Sequence, residues 1–240
     1  MNLFRHSLLV LILLFVLPVS MQAENKAPFV IPELKTWKGS EGSFHPDTRW
    51  QVVCASGESE VLRIADDFIA DYKQMFGRGM ELSAGRPEKG DFVFRLNSKA
   101  DLPKEGYTIR IADKVEVTAS SPVGLYWATR TLLQMSEQSA DRSLPCGYIK
   151  DYPDYPVRGF MIDCGRKFIP MPFLRDYVKI MAYYKMNTLQ IHLNDNGFKQ
   201  FYEHDWDKTY SAFRLECDTY PGLAAEDGHY TKREFIDLQL

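Results

Sequence analysis

Cysteine is scarce in these 240 residues: Cys54, Cys146, Cys164 and Cys217 are scattered, and no two form a CxxC pair. That excludes a disulfide-built scaffold and offers no zinc-ligand spacing. An excess of charge of one sign is lacking too. The formal net charge is −3, so nothing in the balance points to nucleic acid or an anionic membrane as partner. After residue 23 no apolar run is long enough to span a bilayer, which takes about 20 residues. His204, Asp205, Asp207 and His229 share a segment but follow no regular ligand pattern, and no metal or other cofactor is expected. Otherwise the composition, 45% hydrophobic and 25% charged, is that of an ordinary globular chain.

The amino terminus reads as an export signal. Arg5 and His6 precede an apolar core from Leu8 to Val19, and Met21-Gln22-Ala23 ends in a small residue suited to signal peptidase. The expected division is therefore a signal peptide over 1–23, a first unit over 24–150 and a second over 151–240.

In the first unit, Val61, Ile64, Ala65, Phe68, Ile69, Tyr72, Met75 and Phe76 follow helical spacing, and Gly77 ends the run. Phe92–Leu96, Tyr107–Ile111 and Val115–Ala119 read as strands, the last two joined as a hairpin across Ala112-Asp113-Lys114. Ser121 suits the cap of a second helix, with Pro122 in its first turn and Leu125, Tyr126, Thr129, Leu132 and Leu133 on one face. Gly124, Tyr126 and Trp127 invite comparison with a sugar platform, but aromatic residues on an amphipathic helix are ordinarily core. Cys146 to Pro156, containing YPDYP, reads as the junction between units.

The second unit carries the chemistry. RGFMIDCGRKFIP (158–170) and NTLQIHLNDNGF (187–198) each run from a short apolar stretch into polar residues. Between them, Phe173, Leu174, Tyr177, Val178, Met181, Ala182 and Lys185 fall at spacings of three and four, a helix with one apolar face. Pro170 and Pro172 sit where a helix can start. Strand, crossover helix and parallel strand make a βαβ unit, whose ligands gather beyond the carboxyl ends of the strands. Arg166 and Asp195 are then expected close together at that end. A fork of donors and a carboxylate acceptor suit a polyhydroxylated ligand; an ion pair closing one end of the fold is the alternative.

The two motifs resemble the opening of the catalytic domain in glycoside hydrolase family 20, the β-N-acetylhexosaminidases. There an RG-apolar-D-x-x-R segment and an HLxD segment occupy the first two strands of a TIM (β/α)8 barrel; here they are Arg158, Gly159, Asp163 and Arg166, then His192, Leu193 and Asp195. The segment from Glu105 to Met135 is similar to the small α+β domain that precedes that barrel. The resemblance implies an α/β chain: a small α+β domain followed by the first two βα units of a truncated barrel. It implies that Arg166 and Asp195 bind hydroxyls of a terminal N-acetylglucosamine or N-acetylgalactosamine on a glycan, without cofactor. Asp163 and His192 are expected behind them, Asp163 orienting Arg166 or shaping a turn. Lys167 and Asn196 depart from the histidine and the second aspartate often found there.

By the same resemblance the acid is a glutamate in an Asp-Glu pair on a later strand, whose aspartate orients the substrate's own acetamido group for attack on the anomeric carbon. No Asp-Glu dipeptide occurs in these 240 residues, so no catalytic residue is assigned. Tyr155 to Leu240 is 86 residues, against about 250 for a whole barrel. The expectation is therefore part of an exported exo-β-N-acetylhexosaminidase, inactive by itself. The alternative is a non-catalytic remnant that binds a glycan or a protein. The long connection from Gly197 to His229, rich in rings such as Tyr202, Trp206, Tyr210, Phe213 and Tyr220, follows a strand end and is expected to border the site.

Overall fold

A computed structural model describes residues 24–46, 50–54 and 57–239; the export signal expected over 1–23 lies outside them. Seven strands form one mixed sheet: β1 (Thr36–Phe44), β2 (Gln51–Cys54), β3 (Glu81–Ser83), β4 (Phe92–Leu96), β5 (Tyr107–Ile111), β6 (Val115–Ala119) and β7 (Leu144–Asp151). Their spatial order is β1-β7-β5-β6-β4-β2-β3. The hairpin expected between β5 and β6 is present, with Ile111 opposite Val115 and the Ala112 amide donating to the Lys114 carbonyl.

Helices α1 (Ser59–Phe76) and α2 (Pro122–Glu137) pack on the sheet and on each other. Val61, Ile64, Phe68 and Tyr72 of α1 and Leu125, Ala128 and Leu132 of α2 meet Val52, Phe92, Phe94, Ile109 and Val117 from the strands. Gly77 ends α1 in the left-handed conformation, its amide bonded to the Lys73 carbonyl, a stop that a side chain would strain. Ser121 caps α2 by accepting the Gly124 amide. Trp127 is buried in the core and donates to Glu105, so this ring is not a sugar platform. Gly124 is required by packing, because a Cβ there would stand 2.5 Å from the Gly106 carbonyl oxygen.

Of the stretch expected to be junction, Cys146 to Pro156, the part up to Asp151 is instead most of β7, an interior strand between β1 and β5. Past Asp151 the chain crosses into a second layer: β8 (Gly159–Asp163), α3 (Met171–Tyr183) and β9 (Thr188–His192). β8 and β9 pair in parallel, Gly159 opposite Thr188 and Asp163 opposite His192. Next come a hairpin, β10 (Asn194–Asn196) with β11 (Ser211–Phe213), and helix α4 (Lys232–Gln239). Thr231 and Glu234 cap α4 reciprocally, each side chain bonded to the other residue's amide. The second core is small: Cys164, Met171, Leu174 and Tyr230, with Ile162, Phe168, Ile191 and Phe235 against it. Phe173 and Val178, expected on the buried face of α3, are exposed, as are Phe160 and Met161 of β8. No helix among the described residues is long and apolar enough to cross a membrane.

Lys185 departs most from expectation. It is not on α3 but two residues past its end, in the left-handed conformation at φ 58°. From there its ammonium reaches back into the first layer, donating to Asp151 Oδ2 at 3.1 Å and to the Tyr107 hydroxyl at 2.8 Å. Burial lowers its pKa against the opposing pull of Asp151. Arg158 works beside it, bonding Glu105 and the Lys185 carbonyl over the Trp127 ring. The arginine that opens the first motif is thus spent on docking the two layers.

Candidate functional site

The site is assembled at the carboxyl end of the β8–β9 pair. Because Asp163 and His192 are opposite each other in the register, their side chains emerge together beyond the last strand bonds. The amides of Cys164 and Gly165 then both donate to the His192 carbonyl, at 3.0 and 2.9 Å, which turns the chain over β9. A Cβ on Gly165 would come within 2.8 Å of the Asn194 carbonyl carbon and the Asp195 nitrogen. Only glycine lets these two backbones approach so closely.

That turn delivers Arg166 onto Asp195. Its Nη1 donates to Asp163 Oδ2 at 2.7 Å, and its Nη2 is ion-paired with Asp195 Oδ2 at 2.7 Å. Asp163 Oδ1 also accepts the Arg166 amide at 3.0 Å, so Asp163 both orients the guanidinium and shapes the turn. His192 Nε2 lies 2.8 Å from Asp195 Oδ2, and the Asn196 amide donates to Oδ1 at 2.7 Å. Arg166, Asp195, Asp163 and His192, all four singled out from the sequence, form one connected chain of side chains. Arg166 is exposed and the other three are half-buried.

Among the described residues one N–H of the Arg166 guanidinium is hydrogen-bonded, to Asp163, while Asp195 is held by charge, so most of its five donors remain unbonded. This is a fixed, solvent-facing fork beside an oriented carboxylate, able to donate to and accept from adjacent hydroxyls. The carboxylates are poised to stay ionised. Asp195 is held below the usual aspartate range by its bond with His192, reinforced by the Asn196 amide and the Arg166 charge against partial burial. For Asp163, burial pushes upward but the Arg166 amide and guanidinium outweigh it. A carboxylate with a depressed folded-state pKa contributes stability above its unfolded value and loses it as pH falls through the folded one. The melting-temperature gap between wild type and Asp163→Asn should therefore hold at neutral pH and close below the ordinary aspartate value, 3.8; thermal melts across an acid series measure it.

Behind the turn lies a residue the sequence reading missed. Arg214, just after β11, is 1% exposed. Its Nε donates to the Cys164 carbonyl at 2.8 Å and its Nη2 to the Gly165 carbonyl at 3.1 Å. On the other side it meets Asp227 and the Gly228 carbonyl. Its position inside Ala-Phe-Arg-Leu, apolar on both sides, is the signal that marks it. By contrast His204, Asp205, Asp207 and His229 do not gather: Asp205 accepts the Asp207 amide, and His229 Nδ1 faces the Ala225 carbonyl.

Residues 27–152 match the profile described as glycosyl hydrolase family 20, domain 2, and residues 155–236 match that of the glycosyl hydrolase family 20 catalytic domain. The chain belongs to glycosyl hydrolase family 20. A β-hexosaminidase of Akkermansia muciniphila is 37% identical over 140 residues, 57% of this chain and 28% of that protein. One from Porphyromonas gingivalis is 26% identical over 216 residues, 85% of this chain and 26% of that protein. This family 20 chain thus spans roughly a quarter of the length of these relatives. Among solved structures, a mutant Streptomyces plicatus β-hexosaminidase in complex with product (GlcNAc) superposes with a TM-score of 0.74 at 22% identity, covering 90% of this chain and 44% of that one. The family 20 β-N-acetylhexosaminidase of Streptomyces coelicolor gives 0.71, also at 22% identity, over 89% and 44%. At such identity these two establish a shared α/β fold.

Proposed function

We propose that this chain is the opening portion of an exported exo-acting β-N-acetylhexosaminidase. Residues 24–150 are its small α+β domain, and residues 151–240 begin a (β/α)8 catalytic barrel of which the first two βα units are in hand. Arg166 and Asp195 hold hydroxyls of the terminal N-acetylglucosamine or N-acetylgalactosamine of a glycan, while Asp163 and His192 hold those two in place. The observation that carries this reading is the Arg166 fork. It is exposed at the strand ends, clamped between Asp163 and Asp195, with most of its N–H groups not hydrogen-bonded among the described residues. Cleavage then belongs to the substrate's acetamido group together with an Asp-Glu pair that these residues do not contain.

The test is titration of the purified chain with N-acetylglucosamine, alongside a chromogenic N-acetylglucosaminide. Weak saturable binding without turnover is expected. Arg166→Ala, folded by circular dichroism, should bind at least tenfold less tightly, since a hydrogen bond from a charged donor contributes about 1.5–3 kcal/mol. Rapid turnover would overturn the assignment of the acid to residues outside this chain. An unchanged affinity in the variant would overturn the role of Arg166.

A further inference from the structure

The two layers do not close fully on one another. Beside Lys185 they leave a cavity of about 250 Å³, a little smaller than the roughly 300–1,000 Å³ of sites that take drug-sized ligands. Both layers line it: Tyr107 and Trp127 from the first, Arg158 and Lys185 from the entrance to the second, and Tyr152 and Tyr155 from the segment that crosses between them. It is separate from the site at the strand ends. Arg158 immediately precedes β8 and Lys185 comes three residues before β9, and both strands run away from the cavity toward Asp163 and His192.

The charges of the lining cancel in pairs, with one left over. Lys185 neutralises Asp151, Arg158 neutralises Glu105 and Lys35 neutralises Asp154. Glu33 also lines the cavity; it is exposed and has no ion pair among the described residues. Four carboxylates against three cations give the lining a net charge of −1. The rings divide in the same way. Arg158 stands over Trp127 at 5.5 Å, Lys185 over Tyr107 at 5.3 Å and Lys35 over Tyr152 at 6.0 Å. Tyr155 has no cation against its ring among the described residues and is 72% exposed. One carboxylate and one aromatic face of the cavity are therefore unused by the protein itself.

We infer that this interlayer cavity is a binding site for a small organic cation bearing one aromatic ring, an arylalkylamine in chemical class, with its ring among the tyrosines and its ammonium turned to Glu33. An anion would meet a carboxylate that nothing compensates. A purely aliphatic cation would leave the apolar space unfilled, whereas an aromatic ring packs offset or edge to face against the rings already there. The size of the cavity admits a single ring with a short arm. A ligand held by residues of both layers binds only when they are docked, so its occupancy stabilises the docked arrangement by mass action.

The experiment titrates the full chain at neutral pH with benzylamine, benzyl alcohol and benzoate, following the indole N–H resonance of Trp127, the ring that donates to Glu105 in the cavity lining. Benzylamine should bind saturably, benzyl alcohol about fivefold more weakly, as loss of one exposed ion pair predicts, and benzoate more weakly again. Glu33→Gln should abolish the preference for the amine over the alcohol. Tyr155→Ala should weaken both by about threefold. Both side chains are exposed, so neither change threatens the fold. Equal affinity for the three probes, an amine preference that survives Glu33→Gln, wild-type affinity in Tyr155→Ala, or a Trp127 resonance that does not move would overturn the site. Displacement of benzylamine by excess N-acetylglucosamine would do so too, by placing the amine at the other end of the strands.

Discussion

Arg214→Met should cost this protein about 3 kcal/mol of stability and, with it, measurable binding of N-acetylglucosamine, although Arg214 is placed to touch no sugar. Its guanidinium is the only described partner of the Cys164 and Gly165 carbonyls in the turn that aims Arg166. Leaving a buried acceptor unsatisfied costs about 1–3 kcal/mol, and methionine fills the space without replacing any donor. The partner Asp227 is half out in solvent, with a side chain 57% exposed, so its freed charge returns to water. That keeps the cost below the upper end of the 3–5 kcal/mol typical of breaking a buried pair. For a chain of this size about 3 kcal/mol is a fall of roughly 6–12 °C in melting temperature. Arg214→Lys should recover little, because an ammonium cannot span two carbonyls and a carboxylate as a planar fork does. A melting temperature and sugar affinity equal to wild type would show that the turn holds itself.

Lys185→Met should be at least as damaging, for a different reason. The substitution leaves the Asp151 carboxylate, buried between the layers and bonded to Tyr107, without its counter-charge. An uncompensated buried charge costs about 3–5 kcal/mol. Burial, with Asp151 close by, pushes the Tyr107 hydroxyl well above its ordinary pKa, so the tyrosine stays neutral and offers Asp151 a hydrogen bond but no positive charge. The informative partner is the double variant Lys185→Met with Asp151→Leu. Removing both charges should recover most of the loss, since a buried pair exchanged for apolar groups is often neutral. Urea unfolding of the two single variants and the double variant gives the coupling directly. Additive losses would mean that the ammonium and the carboxylate do not depend on one another.

Periodicity made part of this fold legible. In β5 and β6 every second residue is buried, and α1 buries positions three and four apart, so pattern and packing coincide. β1 could not be seen in that way. It is an edge strand, Thr-Trp-Lys-Gly-Ser-Glu-Gly-Ser-Phe, with a single fully buried residue, Phe44, and edge strands need no alternation. β7 was hidden by its own composition, since Pro145 and Gly147 read as punctuation. Gly147 is there because the Trp37 ring and the Lys38 carbonyl leave no room for a Cβ. The site divided along similar lines. Arg166, Asp163, His192 and Asp195 lie within two short segments whose strand ends announce them. Arg214 acts across some 50 residues of sequence, and no local pattern encodes a contact of that separation.

The placement of β1 also bears on how the molecule comes into being. The strand that begins the sheet pairs with the strand that ends it, and the Lys35 amide bonds an Asp151 carboxylate 116 residues further along. During synthesis the early strand has no partner until nearly the whole first layer has emerged. Long-range pairings of this kind are slow to close and leave strand edges open meanwhile. Asp151 then waits a further 34 residues for the ammonium of Lys185. In chain order the first layer is therefore completed in two steps, sheet closure and then charge neutralisation, and the second is carried out by the segment that also begins the candidate site.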